Sequence, residues 1–136
     1  MKKEIKKKPK KKRITIASAK DKGRNLQKWV CKKISELLNI EYGYEDEKLI
    51  QPRLMGQSGT DVVLHQEALK RFPYSVECKS CEAWSLPSFI RQAKKNTKEN
   101  TDWLLVLKRK EFKNPVVVID ANRFFQILED NKNNIY

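Results

Sequence analysis

Two unbroken apolar runs, Trp103-Leu104-Leu105-Val106-Leu107 and Val116-Val117-Val118-Ile119, most constrain what this chain can fold into. A strand with one wet face alternates apolar and polar residues, whereas short runs without alternation belong to strands covered on both faces. Helices must supply that cover. Residues 21–39 supply one, with Leu26, Val30, Ile34, Leu37 and Leu38 at helical spacing and Asp21 offered as N-cap. Trp29, at the edge of that stripe, reads as core. Ser85, with Pro87 in the first turn, starts a second helix that turns Phe89, Ile90 and Ala93 inward and Arg91, Lys94, Lys95 and Lys98 outward. Asp120 or Asn122 starts a third, carrying Phe124, Phe125, Ile127 and Leu128. Further strands are read over 49–55, interrupted by Pro52, over 61–64 after a turn at 56–60, and over 72–79, with 65–71 as a connection. The order helix, three strands, helix, two strands, helix predicts an α/β sandwich whose mixed central sheet is flanked by helices.

At 136 residues the chain can build one core but not two, and residues 14–136 read as a single domain. The formal charge is +13, from thirty Lys and Arg against seventeen Asp and Glu. Residues 1–13 hold eight Lys and one Arg against one Glu, so the body keeps about +5 without them. Such a tail buries no apolar surface and repels itself, so it is expected to be disordered and to hold a nucleic-acid backbone by releasing counterions. No apolar run reaches about 18 residues and none follows the basic start, so neither a membrane span nor a secretory signal is expected, and a cytoplasmic location is. Three cysteines, an odd number, fit a reducing compartment. Cys78-x-x-Cys81 has a zinc-like spacing, but no second pair accompanies it, His65 is the only histidine, and strand alternation would turn the two thiols apart. A buried Cys78 is expected instead.

The chemistry is carried by Asp61 and by Glu77-Cys78-Lys79. Alternation puts Glu77 and Lys79 on one strand face and Cys78 on the other. Pairing the strands at 61–64 and 72–79 would bring the Asp61 and Glu77 carboxylates to one sheet edge. Hard oxygen ligands suit Mg²⁺, which needs only one or two protein carboxylates. The bound ion would polarise a phosphoryl oxygen and acidify a water, and Lys79 beside it would orient that water or stabilise charge on the phosphate.

With a helix before them and a Gln-bearing helix after, these residues resemble the PD-(D/E)xK nuclease superfamily, and within it the small archaeal and phage Holliday junction resolvase-like enzymes. The likeness runs from about Asp21 to about Ile119 and rests on Lys22-Gly23-Arg24, Ser58-Gly59, Glu77-Cys78-Lys79 and Arg91-Gln92-Ala93. It implies a restriction-endonuclease-like α/β/α core and a Mg²⁺-dependent endonuclease acting on branched DNA as a homodimer. Asp61, Glu77 and the backbone carbonyl of Cys78 would be metal ligands, Mn²⁺ would substitute, and Gln92 would reach the catalytic edge. Two positions depart from the family pattern. Thr60 replaces the proline before the aspartate, and Gln27 stands where relatives carry a glutamate early in the first helix. Glu36 is the only carboxylate later in that helix, but nine residues at about 100° each put it nearly opposite Gln27, away from the apolar stripe, so Gln27 is placed nearer the site. The alternatives are a restriction-like or repair nuclease on duplex or single-stranded DNA, and a catalytically silent nucleic-acid-binding module.

Overall fold

The computed structural model describes residues 15–54 and 56–135; the basic segment 1–13 lies outside them. Helix α1 spans Ile16–Leu38, six residues earlier than an N-cap at Asp21 predicts. Thr15, in extended conformation, caps it by accepting the Ser18 N–H at 3.1 Å, while Asp21 sits in the second turn and pairs with Arg24 at 2.5 Å. Asn39 ends the helix in the left-handed conformation that asparagine tolerates. Leu26, Val30, Cys31, Ile34 and Leu38 are buried, but Leu37 is largely exposed and Trp29 is 39% exposed, so neither belongs to the core that the apolar stripe predicts.

Strands β1 (Ile50–Pro52) and β2 (Val62–Leu64) form an antiparallel pair. A six-residue helix, α2 (Gln66–Arg71), occupies the predicted connection. Strand β3 (Tyr74–Ser80) pairs in parallel with β4 (Asp102–Lys108), and β4 pairs antiparallel with β5 (Val116–Ile119). Helix α3 (Leu86–Lys95) makes the crossover between β3 and β4, with Ser85 at its N-cap and Pro87 in its first turn; helix α4 (Ala121–Ile135) follows β5. The fold is thus mixed α/β, but the one central sheet predicted is two small sheets, two-stranded and three-stranded. The reason lies at their junction. The Asp61 N–H reaches the Val76 carbonyl at 2.9 Å, but the next donor, the Cys78 N–H, goes to the Asp61 carboxylate at 2.7 Å and interrupts the ladder.

Alternation along β3 separates two environments. Val76 and Cys78 join the cluster built on α1. Ser75, Glu77 and Lys79 face the other way, toward the α3 side, where Ser75 Oγ accepts the Lys98 N–H at 2.9 Å. In β4, Leu105, Val106 and Leu107 are buried, as their unbroken run predicts. β5 departs from that reading: it is the edge strand, and Val116 and Val117 are exposed, as are Phe124, Phe125 and Leu128 of α4. Among the described residues no helix is long and apolar enough to cross a membrane.

Candidate active site

The hairpin of β1 and β2 delivers Asp61. Its register, Pro52 opposite Val62, continues one step outward, where the Arg53 N–H donates to the Asp61 carbonyl at 3.0 Å. Arg53 therefore stands across from Asp61, and its guanidinium meets the Asp61 carboxylate at 2.8 Å. A second guanidinium nitrogen donates to the Gly59 carbonyl at 2.8 Å; Gly59 has φ +106°, a conformation that side chains other than glycine's resist. Thr60, buried where the resemblance expects proline, closes the turn by donating its hydroxyl to the Val62 carbonyl at 2.9 Å.

Asp61 and Glu77 are 3% and 2% exposed and lie against each other. Burial, then the charge of Asp61, hold the Glu77 carboxyl up at about 7, while an Asn96 side-chain hydrogen bond at 2.8 Å pulls it down. Lys79 shares the Glu77 face, with its ammonium 5.5 Å from the centre of the Phe89 ring and no carboxylate partner within 4.0 Å among the described residues. The site thus concentrates negative charge that Arg53 offsets only in part.

Among the described residues no three His, Cys, Asp or Glu side chains gather to hold a metal ion, and the two carboxylates that adjoin are those of Asp61 and Glu77. Each carboxylate oxygen of Asp61 already accepts one partner, Arg53 or the Cys78 N–H, and has a second lone pair. In a strand the N–H and C=O of one residue point to the same side, so the Cys78 carbonyl faces the Asp61 edge with its N–H. Burial pushes the Cys78 thiol well up, which leaves its backbone, not its sulfur, as the donor.

The first-helix and third-helix residues are placed differently. Gln27 is half-buried and lines a hollow of about 300 Å³ with Arg53, whereas Glu36 is exposed. Gln92 is exposed, and the amide that reaches Glu77 belongs to Asn96, one turn further on. Asn96 was legible in principle, because it continues the inward face Phe89, Ala93 at helical spacing. Arg53 was legible too, once the hairpin register was known.

The raised Glu77 carboxyl makes stability depend on pH. An unfolded chain ionises this carboxyl near its ordinary 4.5, whereas the folded one keeps its proton to about 7. In that window the folded state binds more protons, so stability falls as pH rises and levels off above it. Metal-free protein is expected to melt higher near pH 5 than near pH 7.5, and Glu77→Gln to flatten the difference. Equal slopes for both proteins would assign the titration to another group.

The chain matches no family model, no curated protein and no solved structure.

Proposed function

We propose that this chain is a Mg²⁺-dependent DNA endonuclease with a restriction-endonuclease-like core, a Holliday junction resolvase-like enzyme of the PD-(D/E)xK kind. The observation that carries the reading is the buried Asp61–Glu77 pair at the edge of β3, with Lys79 on the Glu77 face. Asp61, Glu77 and the Cys78 carbonyl would hold the ion, which when bound polarises a phosphoryl oxygen and lowers the pKa of a water. The protein's own part is orientation and charge. Asn96 fixes the Glu77 carboxylate, and the Cys78 N–H fixes that of Asp61. Lys79 is left to donate to phosphate oxygens as charge develops on them. The basic body and the tail at 1–13 supply affinity for the DNA backbone.

The test is a nicking assay with Mg²⁺ or Mn²⁺, against chelator, on a four-way junction, a linear duplex and a single strand. Metal-dependent paired cuts in the junction are expected. Cuts confined to linear DNA would favour a restriction-like or repair nuclease, and binding without cutting would favour a silent module.

The homodimer is supported by an apolar end on an otherwise basic body. Phe124, Phe125 and Leu128 of α4 are exposed, directly after the open edge strand β5, which carries no charge between Val116 and Ile119. Two copies meeting there avoid like-charge repulsion. Each large apolar side chain buried is worth about 1.5–3 kcal/mol, so Phe125→Glu with Leu128→Glu should weaken the dimer by about a hundredfold or more in analytical ultracentrifugation. A wild-type monomer at high concentration would exclude this interface.

A further inference from the structure

We propose that the groove at the carboxyl end of the β3–β4 pair binds a single strand of DNA, with phosphates on its lysines and an unpaired base stacked on Trp29. Parallel strands of open α/β sheets take their ligands at their carboxyl ends, and here that end opens into two hollows of about 410 and 280 Å³ that share Lys22, Ser80 and Lys108. Between them they present Lys22, Lys108, Arg109, Lys110 and Lys113 against one carboxylate, Glu82. Glu82 is already engaged, accepting the Lys110 N–H at 3.0 Å and lying 3.9 Å from Arg109, which is paired more closely with Glu111 at 2.9 Å. Lys22, Lys110 and Lys113 have no carboxylate within 4.0 Å among the described residues, so their ammonium groups are available to phosphate oxygens.

The walls are fixed before any ligand arrives. Arg109 lies over both Trp84 and Phe112, at 5.6 and 6.0 Å from their ring centres, and the two rings meet edge to face. The Lys108 ammonium donates to the carbonyls of Arg109 and Phe112, and the Cys81 N–H donates to the Lys108 carbonyl at 3.1 Å. These contacts tie the β4–β5 connection to the β3–α3 connection, which lowers the cost of ordering a binding surface.

Trp29 decides between duplex and single strand. It is 39% exposed, lines the groove beside Lys113 and stands two helical turns from Lys22, with the Lys33 ammonium 5.5 Å from its ring centre, so a ring and several cations share one wall and a base would stack on the ring in place of that ammonium or opposite it. A ring can stack only on a base whose face is free, and a basic groove with an aromatic platform is how unpaired strands are held. Ser80 lies three residues past Glu77, about 10 Å along the strand but on the α1 face opposite it, so DNA leaving the groove would turn over the carboxyl edge of the sheet to reach the proposed cleavage site.

The inference rests on the nuclease reading for its substrate, so its test reads binding and not cleavage. The full chain, without metal, is titrated into labelled oligothymidylate and into a blunt duplex of equal length across a salt series. Lys110→Glu with Lys113→Glu is compared with Lys32→Glu with Lys70→Glu, which changes the net charge equally at exposed positions outside the groove. The groove variant is expected to lose about tenfold more single-strand affinity than the control, and to flatten the salt slope by roughly 1.4, the value for two phosphate contacts. Trp29→Ala should cost about tenfold on the single strand and little on the duplex, with Trp29→Phe restoring most of it. Equal losses in groove and control variants, or equal effects of Trp29→Ala on both DNAs, would overturn the proposal. Groove-specific loss of binding by a chain that never cuts DNA would instead retain the groove and remove the nuclease.

Discussion

Asp61→Asn and Glu77→Gln are each expected to abolish the proposed junction cleavage, by at least the ~10²–10³-fold that follows loss of one group aimed at developing charge, while DNA binding should hold or tighten. The two effects separate because they have different sources. On the proposed function, affinity would come from the basic body and tail, and removing a carboxylate near the phosphates would lower repulsion. Cleavage would need both carboxylates, because among the described residues no third acidic side chain gathers with them to replace either. The amide carbonyl oxygen that each substitution introduces can still accept the hydrogen bond from Asn96 or from the Cys78 N–H, so both variants should fold. Parallel loss of binding and cleavage in a folded Asp61→Asn protein would assign Asp61 a structural role.

Arg53→Gln should leave a metal-free protein destabilised by about 2–3 kcal/mol. Breaking a buried ion pair from one side costs ~3–5 kcal/mol, and a value at or below the bottom of that range applies because the Arg53 side chain is 28% exposed. The melting temperature should fall by roughly 10 °C. Mn²⁺ should then raise the melting temperature of the variant by more than that of wild type, because a cation beside Asp61 takes over the charge that the guanidinium offset. An unchanged melting temperature in the metal-free variant would show that the 2.8 Å pair contributes nothing to stability.

The site and the fold were legible to different depths. Strand alternation is local, so the common face of Glu77 and Lys79 and the burial of Cys78 could be read from three consecutive residues. The burial of β4 could be read just as locally, from an apolar run without alternation. What could not be read was set by tertiary context. Asp21 is a good capping residue, but Thr15 caps the helix six residues earlier, and that extension could not be foreseen from the apolar stripe alone. Val116 to Ile119 has the composition of a central strand yet lies at an edge, because apolar composition says nothing about how many neighbours a strand finds. Asn96 and Arg53 escaped notice since each is a common polar residue whose role depends on a contact distant in sequence: 19 residues from Asn96 to Glu77, and a hairpin register from Arg53 to Asp61.

The most direct measurement is calorimetric titration of Mn²⁺ into wild-type, Asp61→Asn, Glu77→Gln and Lys79→Ala proteins at a pH above 7, where the Glu77 carboxyl is ionised. One site is expected in wild type, lost in both carboxylate variants and retained in Lys79→Ala. Undiminished Mn²⁺ binding in Asp61→Asn and Glu77→Gln would contradict a metal held by these two carboxylates.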